Sequence, residues 1–102
     1  MITKNITLTE AVLLRPKMYT LSAAFGEVVC FLEGYYSGIA KSQPSCSGVI
    51  EWEAFKTFLA KHFLVEIDSV FPRIMECYSE SDRAIGAVRD LFSEFQANAH
   101  QS

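Results

Sequence analysis

Leu21, Ala24, Phe25, Val28, Leu32, Tyr35, Tyr36 and Ile39 stand at offsets 0, 3, 4, 7, 11, 14, 15 and 18 along the chain. That spacing follows the turn of an α-helix and lays one apolar stripe along residues 21 to 41. A helix with one long apolar face must bury it against other elements, so this stripe commits the chain to a packed core. A second line at steps of four, Gly26, Cys30, Gly34 and Gly38, runs along the same helix. Each interior glycine costs about 1 kcal/mol relative to alanine. Two explanations stand: another helix approaches closely over a side-chain-free groove, or a shallow groove receives a partner.

The flanking segments are helical too. Thr7 with Glu10 has the form of a capping box, and Ala11, Val12, Leu13 and Leu14 continue a short first helix as far as Arg15 and Pro16. Ser42 to Gly48 reads as a loop. Behind it Val49, Trp52, Phe55, Phe58, Leu59 and Phe63 share one helix face, with Glu51, Glu53, Lys56 and Lys61 on the others. Leu64, Val65 and Ile67 could begin a strand, but no second alternating run exists to pair with it, so the segment reads as connection. Asp68 or Ser69 can cap a fourth helix carrying Ile74, Cys77 and Tyr78, with Pro72 near its first turn. Ser79 with Asp82 resembles another capping box ahead of Ala84, Ile85, Val88, Leu91, Phe92 and Phe95, a last helix over residues 80 to 97. The expected fold is all-α, a compact single-domain bundle of about four to six helices across the whole chain, with residues 97–102 as a frayed tail.

With 102 residues, 50% of them hydrophobic, the chain can bury one core and lacks the length for two. The net charge of -3 argues against a phosphate-backbone binder, and no apolar run approaches a bilayer span. Met1 to Thr7 shows no leader pattern, so a cytoplasmic protein is expected. Cys30, Cys46 and Cys77 match neither a disulfide framework nor a metal knuckle; they read as reduced, buried or half-buried thiols, Cys46 the most exposed. His62 has no nucleophile or base partner in a recognisable motif and His100 lies in the tail. The glycines sit inside a helical pattern, not in a phosphate-binding loop. No catalytic constellation, metal site or cofactor is expected.

Glu10 to Tyr19, with Glu-Ala-Val, Arg-Pro and Met-Tyr in order, resembles the opening of the ATPase arm of type II topoisomerases over ten residues. The Asp-x-Gly and Gly-rich segments that bind ATP in that family are missing here, so the match reads as local convergence on a helix-ending turn. A broader likeness rests on Arg15-Pro16-Lys17-Met18-Tyr19, Phe31-Leu32-Glu33-Gly34-Tyr35, the Trp52 to Phe58 helix and the acidic Asp82 to Phe95 helix. This arrangement resembles small bacterial immunity proteins of toxin systems, including contact-dependent growth inhibition. The resemblance implies a helical fold, no catalysis and a cognate protein toxin as partner, and it transfers no individual binding residue. In the motif itself, Arg15 can satisfy helix-end carbonyls, and Met18 and Tyr19 can pack under the central helix.

Charge is unevenly divided. Residues 1–64 hold Glu10, Glu27, Glu33, Glu51 and Glu53 against six bases, a net of +1. Residues 65–102 hold Glu66, Asp68, Glu76, Glu80, Asp82, Asp90 and Glu94 against Arg73, Arg83 and Arg89, a net of -4. Nuclease active sites are basic because they attract phosphate, so an inhibitor presenting these carboxylates gains steering and register. All seven are candidate partner contacts. Arg73 and Arg83 can relieve Glu76 and Glu80, whereas Asp90 and Glu94 share a line with Gly86 and Asn98 and are the leading pair. Tyr35, Tyr36 and Trp52 are either aromatic anchors or core residues. The expected function is neutralisation of a toxin, an RNase or other nuclease, by occlusion of its basic cleft. The alternative is a small helical adaptor or homodimer with no toxin partner.

Overall fold

A computed structural model describes residues 7–100, with side chains through residue 98. The stretch 1–6, where a leader pattern was sought, and tail residues 101–102 lie outside the described residues. Helix α1 (Leu8–Leu14) starts with the hydroxyl half of the expected capping box: Thr7 Oγ1 accepts from the Glu10 backbone N–H at 3.2 Å. Its last turn closes through the Arg15 backbone N–H on the Ala11 carbonyl. Pro16, which cannot continue the helix, opens a 3₁₀ turn, Pro16–Met18. Glu10 spans to the far end of the chain, its carboxylate accepting from Gln96 Nε2 at 2.9 Å.

Helix α2 (Phe25–Ser42) begins four residues later than the stripe implied. Leu21 lies outside it and is fully exposed, because Ala23 adopts a left-handed conformation (φ 60°) and interrupts the helix before it can include Leu21. Phe25, Val28, Leu32 and Tyr36 form its buried edge. The glycine line faces the other way: a methyl group added at Gly26, Gly34 or Gly38 would meet nothing within 4 Å. The close helix approach that would offset those glycines is not what this fold does.

Gln43 to Cys46 turns the chain into α3 (Ser47–Phe63), which buries Val49, Trp52, Phe55 and Leu59. A second 3₁₀ turn, Ile67–Ser69, leads to α4 (Val70–Cys77), so the connection forms no strand. Neither Asp68 nor Ser69 caps α4 through its side chain. Helix α5 (Ser81–His100) starts after Ser79 and remains helical beyond residue 97. Ser81 instead serves α2, its hydroxyl accepting from the Phe25 N–H at 3.0 Å and satisfying a free donor of that helix's first turn.

The five α-helices close on one core with Phe25, Phe55, Phe92, Leu32 and Ile74 at its centre, and no strand occurs among the described residues. The fold is an all-α bundle. Its one buried polar side chain among the described residues, Thr9, meets Tyr36 Oη at 2.9 Å. Burial pushes the Tyr36 phenol up, against the opposing hydrogen bond from Thr9. No described helix is long and apolar enough to cross a membrane.

Candidate functional site

Helix α4 and the turn before it carry Glu66, Asp68 and Glu76, while Glu80, Asp82, Asp90 and Glu94 lie at the start and along the outer side of α5. All seven are exposed, as charged groups outside a core must be unless paired. Their surroundings differ. Glu76 meets Arg73 at 3.4 Å, the local pair its spacing predicts. Glu80 and Arg83 form no such pair among the described residues. Asp82 sits in the first turn of α5, where the helix dipole favours a negative charge.

Three open clefts border these acids and divide them. One, of about 490 Å³, includes Glu66 beside Leu64, Val65 and Ile67. Its neighbour, of about 600 Å³, includes Glu76 and shares Leu64 and Val65. The third, of about 470 Å³, holds Asp90 between His62, Tyr78 and Arg83. Arg83 lies two turns from Asp90 on the same side of α5, so a cation does share its cleft, contrary to the reading from Gly86 and Asn98 alone. The Arg89 guanidinium also passes 4.0 Å from where a Gly86 methyl would stand. Glu94 lines none of the three clefts, and neither Asp90 nor Glu94 makes an ion pair among the described residues.

Of the three aromatic candidates, Trp52 and Tyr36 belong to the core, stacked with ring centroids 5.4 Å apart, while Tyr35 is 45% exposed. Trp52 also anchors a polar node that helical spacing did not reveal. Its indole N–H donates to Glu33 Oε1 at 2.6 Å, and Lys56 Nζ reaches the same oxygen at 3.0 Å and Glu53 at 2.9 Å. Burial works to lower the Lys56 pKa, but the hydrogen bonds its ammonium donates to Glu53 and Glu33, with their negative charge, outweigh it and the net shift is upward. This node joins α2 to α3 and holds Lys56 half-buried, although the sequence reading set it off the apolar face of α3.

The cysteine expectation reverses: Cys30 and Cys77 are exposed and Cys46, at the start of α3, is half-buried; all three are free thiols. Tyr19 packs against Phe31 at 5.8 Å, as its place under the central helix requires, but Met18 is 69% exposed and does not. Leu64, which the sequence places in a connection, is 89% exposed and left-handed at φ 58°, a conformation the spacing did not indicate. A visible signal was available there, since a helix end with no glycine must place a side chain in that conformation or forgo the motif. No group of three metal-ligating side chains occurs among the described residues. No family model, curated protein or solved structure matches the chain.

Proposed function

We propose that this chain is a non-catalytic, cytoplasmic immunity protein that binds and neutralises a cognate bacterial toxin, a nuclease of the RNase type, by covering its basic cleft. The observation that carries this reading is the exposure of all seven carboxylates between Glu66 and Glu94, with Asp90 and Glu94 lacking an ion-pair partner among the described residues. Exposed carboxylates of one sign steer a cationic partner and fix its register. The immunity-protein resemblance of the Arg-Pro-x-Met-Tyr and Phe-Leu-x-Gly-Tyr segments supports the same class. Binding of the toxin domain encoded by the adjoining reading frame, followed by surface plasmon resonance at several salt concentrations, tests it. Asp90→Lys with Glu94→Lys should slow association at least tenfold and flatten the salt dependence. Unchanged association would remove this surface, and a wild-type chain that leaves the toxin's nuclease activity intact would remove the function.

A second reading, a helical adaptor or homodimerising protein, is favoured by Leu21 and Leu64, two large apolar side chains left almost wholly in water.

A further inference from the structure

Ala23 and Leu64 are the two non-glycine residues with positive φ among the described residues, a conformation disfavoured for any residue carrying a Cβ. Each lies beside exposed apolar side chains. Before Ala23 come Leu14, Met18 and Leu21, exposed by 54%, 69% and 100%. The loop bearing Leu21 is fixed on both sides. Thr20 Oγ1 donates to the Pro16 carbonyl at 3.0 Å and accepts from the Ala23 N–H at 2.9 Å. The Ser22 N–H and hydroxyl both donate to Glu27 Oε1, at 2.9 and 2.7 Å. Leu21 is therefore held out in water by a hydrogen-bonded frame. Arg15 and Lys17 in this segment are exposed and make no ion pair among the described residues.

The turn at Leu64 has the opposite sign and the opposite shape. Two adjoining clefts of about 490 and 600 Å³ flank Leu64, walled by Ala60, Val65 and Ile67 on one side and Phe63 and Pro72 on the other. Glu66 and Asp68 follow directly in the chain, both exposed and both without an ion pair among the described residues. Lys61 shares the rim of the first cleft with Glu66, and Arg73 meets Glu76 at 3.4 Å on the second, so the negative excess beside Leu64 rests on Asp68, which lines neither cleft but follows closely in the chain. One surface is an apolar projection on which Arg15 and Lys17 outnumber Glu27; the other is an apolar recess where Glu66, Asp68 and Glu76 outnumber Lys61 and Arg73.

We propose that the chain self-associates head to tail, with Met18 and Leu21 of one copy seated in the clefts beside Leu64 of the next, and Arg15 and Lys17 facing Glu66 and Asp68. The occupant is a second copy because both halves of the complementary pair are present on this one chain. An interface between two different patches leaves a free patch at each end, so it extends unless the rotation closes a ring. Few residues take part on each side, so the association is weak and salt-sensitive. The proposal does not rest on a toxin partner and uses neither Asp90 nor Glu94.

Sedimentation velocity on the wild-type chain from about 10 μM to about 1 mM should show average mass rising with concentration and falling with added salt. Leu21→Asp and Leu64→Asp, both at exposed positions and checked for helical circular dichroism, should each be monomeric alone. Mixed in equal amounts they should form a species that stops at the dimer, since one retains a recess and the other a projection. Lys17→Glu and Asp68→Lys give a second pair that leaves the apolar groups intact: each should associate less than wild type, and their mixture should recover. A wild-type chain that stays monomeric throughout overturns the proposal. So do single variants that associate like wild type, or mixtures of both pairs that stay monomeric.

Discussion

The turns at Ala23 and Leu64 share a backbone conformation and are held by different means. Ala23 is buried, and side chains of Thr20, Ser22 and Glu27 frame its turn. Leu64 is exposed, and its turn closes through backbone bonds alone, the Leu64 and Val65 N–H groups both donating to the Ala60 carbonyl. That double closure is the glycine-type helix ending built with a leucine. A left-handed residue can therefore be sustained either by a local polar frame or by the momentum of a helix finishing its hydrogen bonds. The two should respond differently to substitution.

Thr20→Val should have the largest effect, because it strips the Ala23 N–H of its acceptor in a half-buried turn and should cost about 1–3 kcal/mol in urea denaturation. No comparable side-chain deletion exists at Leu64, and a Thr20→Val loss below the error of the method would end the distinction. Leu64→Gly should act in the other direction, raising stability by about 0.5–1 kcal/mol as relief of the left-handed cost exceeds glycine's entropy in the unfolded chain. The same melt on Ala23→Gly should move by less than about 0.5 kcal/mol, since there the relief is offset by a lost buried methyl. Equal gains at both sites would mean that burial of Ala23 contributes nothing.

The smallest effect is one of pH. Hydrogen bonds from the Ser22 N–H, then the Ser22 hydroxyl, hold the Glu27 carboxyl below its ordinary range. A group lowered on folding supports the folded state above its unfolded pKa and loses that support as pH falls through the folded value. Acid should therefore loosen the Ser22 turn and spare the Leu64 turn. An NMR titration should show the Ser22 amide shift following Glu27 while the Val65 amide does not; a flat Ser22 response would detach the carboxylate from the turn.

Helix periodicity made most of the core legible. Phe25, Val28, Leu32, Trp52, Phe55, Leu59, Ile85, Val88 and Phe92 all lie inside where their spacing puts them. Helix ends were harder, because they depend on groups far away in sequence. Ser81 caps α2 from 56 residues off, so the residues around Phe25 do not announce it. The Glu33–Trp52–Lys56 node was hidden for the same reason: the spacing of α3 sets Lys56 one turn from Trp52, but the carboxylate that joins them, Glu33, comes from α2. The candidate acids were legible as exposed charges, but their division among separate clefts was not.

The sequence by itself determined the all-α class, most of the membership of the core and the concentration of acid in the last third, because apolar period and net charge are properties a chain carries before it folds. Only the tertiary structure decided which surfaces stay uncovered. The glycine line of α2 needed a neighbour that never comes, and Leu21 and Leu64 needed their turns to point them outward. Whether a face is buried depends on how other helices pack around it, and that is fixed only when all of them have docked.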